Sequence, residues 1–138
     1  MARIERFEDI EAWKRARQLT KKIYDCTRAP RFARDFALKD QICRASVSTM
    51  SNMAEGFERG GNQELIQFLA TAKGSIGEVR SQLYVALDQG YITQQQFDEM
   101  YGDCSAISRM IAGFISYLQK SAHRGSKFVR PRRASSRP

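Results

Sequence analysis

Apolar residues recur at three- and four-residue spacings in four separate segments of this chain, and no segment alternates apolar and polar as a half-buried strand would. The first predicted helix runs from about Asp9 to Thr27, with Ala12, Ala16, Leu19, Ile23 and Cys26 on one face. Asp9 or Glu8 is expected to cap its start, and Pro30 to end it by disfavouring helix in the residue before it. The second spans about Leu38 to Phe57, with a stripe of Leu38, Ile42, Ala45, Thr49 and Met53. A third begins after "RGGN" and reaches Gln89, where Gly90 supplies a left-handed residue to close it. The fourth opens on a capping box, Thr93 with Gln96, and carries Phe97, Met100, Cys104, Ile107, Ile111, Phe114 and Leu118.

Long helices joined by short turns bury their stripes most simply as an antiparallel up-and-down four-helix bundle. The pattern therefore predicts an all-α chain: a bundle over residues 1–120 and a flexible basic tail over 121–138. Three helices have apolar or small residues beyond one stripe. Helix one adds Trp13 and Tyr24, helix four adds Met110, Gly113 and Tyr117, and helix three carries Gly74 and Gly77 opposite its core side. Glycine inside a helix costs about 1 kcal/mol against alanine, so two of them point to a compensating contact. Such faces either widen the cover of a small core or mark self-association, and the expectation is a homo-oligomer.

Composition adds exclusions. With 138 residues, 42% hydrophobic and 10% aromatic, the chain has room for one real core. No apolar run reaches the roughly 18 residues of a membrane span, and the charged start "MARIERFEDIEAWKRARQ" has no signal-peptide pattern. The expectation is a cytoplasmic protein with no membrane partner. Cys26, Cys43 and Cys104 are odd in number and far apart, and His123 is the sole histidine. That set suits buried thiols rather than a disulfide framework or zinc site, and no cofactor is expected.

The stretch "SNMAEGFERGGNQELIQF" threads Ser51, Asn52 and Glu55 through apolar positions ahead of Gly56 and two further glycines. A catalytic reading lacks a second carboxylate at fixed spacing, a histidine base and a P-loop context. The chain is expected not to be an enzyme. A structural reading fits better. Gly56 gives a small surface, Phe57 returns to the core, and Gly60–Gly61 allow reversal. Asn52 and Glu55 bond backbone groups or a cation such as Arg80 or Arg44.

Here the residues carry a resemblance. "RFEDIEAWKRARQLTKKIY", "LKDQICRASVSTMSNMAEGFERGGNQELIQFLATAKGSIGEVRSQL" and "LDQGYIT" make the chain similar, over roughly 5–120, to the four-helix-bundle family encoded in 23S rRNA intervening sequences. The resemblance implies a ring, in similar proteins a homopentamer, and no catalytic residues. It also implies a distant kinship to accessory proteins of diversity-generating retroelements, which bind a reverse transcriptase and nucleic acid through a basic surface. Thr49–Met50 stands where many relatives have a proline, and Gly61 where relatives have a serine N-cap.

Net charge is +8, yet six basic and no acidic residues lie in 121–138, which leaves 17 basic against 15 acidic before it. Two places are candidates for polyanion binding. One is Lys14, Arg17, Lys21 and Arg28 on helix one; the other is Arg124, Lys127, Arg130, Arg132 and Arg133 in the tail. The expected function is a non-catalytic, ring-forming protein that binds RNA or DNA or serves as an adaptor. The alternative is a scaffold for a protein partner, with no nucleic-acid role.

Overall fold

In a computed structural model of the protein, the structure describes residues 3–123. Among these, every regular element is helical. A short 3-10 turn, Phe7–Asp9, leads into α1 (Glu11–Thr27), α2 (Pro30–Arg34), α3 (Phe36–Arg59), α4 (Asn62–Asp88) and α5 (Gln94–His123). The four predicted long helices are all present, with ends shifted by a few residues.

Two local readings are corrected. Asp9 does not cap α1: it closes the preceding 3-10 turn, its Oδ2 accepting the backbone N–H of Glu5 at 3.0 Å and of Arg6 at 3.2 Å. The residue before α1 is Ile10, extended and buried, which anchors the entry to the helix by packing instead of by a polar cap. Second, the segment after α1 is not merely a terminator. Pro30 takes the first position of α2, where its missing N–H costs nothing, and this one-turn helix drives Phe32 into the core at 1% exposure.

The remaining punctuation follows the sequence. Thr93 and Gln96 form the reciprocal capping box, with Gln96 N–H on Thr93 Oγ1 at 3.0 Å and Thr93 N–H on Gln96 Oε1 at 2.8 Å. Gly60 (φ 88°) and Gly90 (φ 74°) take the left-handed conformation that ends α3 and follows α4. Asp35 caps α3 by accepting the N–H of Leu38 at 3.1 Å. α5 continues to His123, beyond the boundary expected at 120, and Ser121 on its last turn is buried.

α3 packs on α4, α4 on α5, and α1 against both α3 and α5. Because only Gly60 and Gly61 separate α3 from α4, two helices in direct contact, their directions are opposed. The shared core is drawn from the predicted stripes: Ala12, Ala16, Leu19 and Ile23; Ile42, Met53 and Phe57; Leu65, Leu69, Ile76 and Leu83; Met100, Ile107 and Ile111. No described helix is long and apolar enough to cross a membrane.

Candidate functional site

The "SNMAEGF" stretch lies wholly within α3 and faces α4. Gly56 is buried, and a Cβ there would stand 2.6 Å from Phe68 Cβ and 3.1 Å from Leu65 Cδ1, both on α4. Only glycine lets the two helices approach so closely. Asn52 donates to the Ser48 carbonyl at 2.8 Å and to Ser48 Oγ at 3.0 Å, and Ser48 shares a hydroxyl bond of 3.0 Å with Ser75 of α4. Ser51 is exposed. Glu55 pairs with Arg59 one turn on, at 2.8 Å, and not with Arg80 or Arg44. Arg80 instead lies over the Tyr101 ring, and Arg44 pairs with Asp40, both of them nearer neighbours than Glu55. Gly56 and the Asn52–Ser48–Ser75 bonds make a helix–helix seam, while Ser51 and Glu55 lie on the exposed side of α3.

The cationic sector of α1 is largely neutralised by its own helix. Lys14 pairs with Glu11 at 3.3 Å, while Lys21 and Arg28 converge on the Asp25 carboxylate and, through those hydrogen bonds, hold it below its ordinary pKa. Arg17 makes no salt bridge among the described residues. Arg124, Lys127, Arg130, Arg132 and Arg133 lie outside the described residues.

The residues expected at an oligomer interface divide into two kinds. Trp13, Met110 and Tyr117 are half-buried against the chain's own core, Trp13 meeting Phe7 edge-on at 5.1 Å between centroids. Tyr24 is 41% exposed. Gly74, Gly77 and Gly113, joined by Gly102, have nothing within 4 Å of where a Cβ would stand, so no packing inside the subunit requires them to be glycine.

Two clusters escaped sequence reasoning. Asp103 of α5 is 4% exposed and held by Arg15 at 2.9 Å and Lys22 at 2.8 Å from α1; Lys22 also reaches Glu99 at 2.6 Å. The hydrogen bond to Asp103, then that to Glu99, holds the Lys22 ammonium above its ordinary pKa. Its signal in the sequence is Arg15 and Lys22 seven residues apart, one line of α1. The second cluster surrounds Phe36, the first residue of α3, which is 77% exposed. It separates two shallow grooves, one lined by Arg31, Arg34 and Tyr91, the other by Tyr24, Lys39 and Cys43.

Of the three thiols Cys104 is buried, while Cys26 and Cys43, expected to be buried, are only half-buried. Burial pushes Cys104 up to about 12 with help from the Asp103 charge, and burial likewise raises Cys26 and Cys43. Among the described residues no group of three or more His, Cys, Asp or Glu is placed to hold a metal ion.

Comparison with solved structures finds a crystal structure of a protein of unknown function from the S23 ribosomal protein family of Bacteroides thetaiotaomicron. It shares 19% identity with this chain at a TM-score of 0.70, covering 75% of this chain and 97% of its own. At that identity the likeness is one of fold. No curated protein matches the sequence. The model of the 23S rRNA-intervening sequence proteins matches residues 8–113, most of the chain and all four long helices in whole or large part, and the chain belongs to that family.

Proposed function

We propose that this chain is a non-catalytic binding protein, a four-helix bundle that closes into a homo-oligomeric ring, most simply a pentamer, and offers basic surface to nucleic acid. The observation that carries the assembly is the set of four glycines in mid-helix on α4 and α5 with open space beyond them. Each weakens its helix by about 1 kcal/mol relative to alanine, with no return inside the subunit. A neighbouring chain approaching closely would supply that return.

The helix order supports a ring rather than a closed pair. α1 and α3 adjoin one another, as do α4 and α5, so those two edges lie on opposite sides of a bundle. The α1–α3 edge offers larger side chains, Trp13, Tyr24 and Val47, while α4 offers Ala70, Gly74, Gly77 and Ser81. Bulky on one side and small on the other is a head-to-tail contact, which closes as a ring when the rotation permits. Light scattering of the full chain at micromolar concentration should give about five times 15.8 kDa; a monomer mass would refute the assembly.

Nucleic acid is favoured as the ligand by the +8 net charge and by cations that form no salt bridge among the described residues. The α1 sector contributes less than its residue count promises. Three of its four cations are paired, although such exposed pairs are worth only about 0–1 kcal/mol and phosphate can displace them. The solved relative's assignment to a ribosomal protein family is compatible with an RNA role. Titrating salt against RNA and DNA affinity tests this: binding that weakens steeply with salt supports it, and no binding at low salt leaves a protein scaffold.

A further inference from the structure

Exposed apolar residues scattered singly need no explanation, but Phe36 is not scattered singly. Among the described residues it is the most exposed of the large apolar side chains, at 77%, and it stands between a groove with Arg31 and Arg34 and another with Lys39. Of the other nearby rings, Tyr24 is 41% exposed, while two have a role in the fold. Phe32 is buried, and Tyr91 stacks on it at 5.1 Å with Arg31 5.5 Å over the Tyr91 ring. Among the described residues Phe36 pairs with no ring, and at 77% exposure most of its side chain is open to a ligand.

The charges around it are also distinctive. Arg31, Arg34 and Lys39 form no salt bridge among the described residues, in contrast to the paired cations of α1. Two carboxylates line the same grooves without pairing with these cations: Asp35 accepts from Tyr91 Oη at 2.9 Å and from Leu38 N–H, and Asp40 pairs with Arg44 at 2.9 Å. Arg31 is held in place by donating to the Gln89 carbonyl at 3.0 Å, and it forms no salt bridge among the described residues. Unpaired cations flanking an open aromatic ring combine the two elements that hold a single strand: charge for the phosphates and a π-face for a base. A duplex keeps its bases stacked on each other and can use only the first.

We propose that Phe36, with Arg31, Arg34 and Lys39, is a stacking platform for single-stranded nucleic acid, the base on Phe36 and the flanking phosphates on the three cations. It rests on the nucleic-acid reading above and makes it specific. The platform sits where α2 meets the start of α3, at an end of the long helices. An assembly built through helix sides would leave the groove of Arg31 and Arg34 open and repeat it around one rim.

The test uses the full-length chain with two fluorescein-labelled probes, a short oligouridine and an RNA duplex of matching length, read by anisotropy at several salt concentrations. Phe36→Ala should weaken oligouridine binding by roughly five- to a hundredfold, the range expected for losing one stacked base, and leave duplex binding unchanged. Phe36→Trp should restore single-strand affinity, with its indole fluorescence quenched on binding. Arg34→Ala with Lys39→Ala should flatten the slope of log affinity against log salt by about 1.4 for the single strand, two phosphates at roughly 0.7 each. At 77% exposure Phe36 is not needed for folding, and an unchanged urea midpoint of Phe36→Ala checks that. Equal oligouridine affinity for wild type and Phe36→Ala overturns the platform while sparing nucleic-acid binding elsewhere. No binding of either probe by the wild type at low salt overturns both. A protein partner lost on Phe36→Ala, with oligouridine affinity intact, would reassign the patch to a protein interface.

Discussion

At Gly56 and Asn52 the meaning of a polar and glycine-rich run depends on what the neighbouring helix brings to it. Gly56→Ala would drive a Cβ to 2.6 Å from Phe68 Cβ, a rigid stem rather than a flexible tip, so α3 and α4 would have to part. The expected cost is about 1–3 kcal/mol, as for other overpacked cores, measured as a lower urea midpoint at unchanged slope. An unaltered midpoint would mean that the seam can relax without loss. Asn52→Ala removes a donor from the Ser48 carbonyl and from the Ser48–Ser75 hydroxyl pair, and should cost about 0.5–1.5 kcal/mol. The requirement for a small residue at 56 was legible because glycine is costly in mid-helix. The partner of Glu55 was missed, because the predicted helix stopped at Phe57 and so left out Arg59, one turn on, which makes the pair.

Between elements, the Asp103 cluster is the main polar link from α1 to α5. Asp103→Ala should destabilise more than Lys22→Met. The first removes the partner of Arg15 and leaves Lys22 with Glu99 alone, whereas the second leaves Arg15 on the carboxylate at 2.9 Å. Urea unfolding of the two variants decides, and the reverse order would show that the cluster does not hold α1. The same link makes a pH prediction. Lys22 is held above its ordinary 10.5 in the folded chain, so its stabilisation is fully present below that value. It is lost as pH rises through the higher folded value. The Tyr91 hydroxyl is also raised, chiefly by its hydrogen bond to Asp35. The Lys22 part is therefore the difference between wild type and Lys22→Met, which should shrink above pH 10.5. Sequence periodicity located all four long helices because each stripe is set by burial against the same core. It missed α2, where one turn offers a single buried residue, Phe32, and no period to detect. It also passed over Phe36, whose exposure depends on where α3 begins and which way its first turn faces.

On the scale of the whole molecule, surface chemistry decides function, and two changes to the chain separate assembly from ligand binding. Gly77→Leu adds a bulky side chain where a Cβ meets nothing within 4 Å of the same subunit, so the fold should tolerate it. If α4 receives a neighbouring chain, that side chain holds the neighbour away, and light scattering should show a smaller species at the same concentration. Unchanged mass would move the interface to another face. Removal of residues 124–138 acts on charge instead. It deletes Arg124, Lys127, Arg130, Arg132, Arg133 and Arg137, six of the eight net positive charges, while the buried core within 3–123 stays whole. Folding should change little. Affinity for a duplex, which draws on the phosphates alone, should fall, and its salt slope should flatten by about 0.9 for each phosphate no longer neutralised. Affinity for oligouridine should fall less, because stacking on Phe36 is insensitive to salt and lies outside the deleted segment. The ratio of single-strand to duplex affinity should therefore rise on truncation. A ratio that stays constant would place both probes on the same cations, with no separate contribution from the aromatic platform.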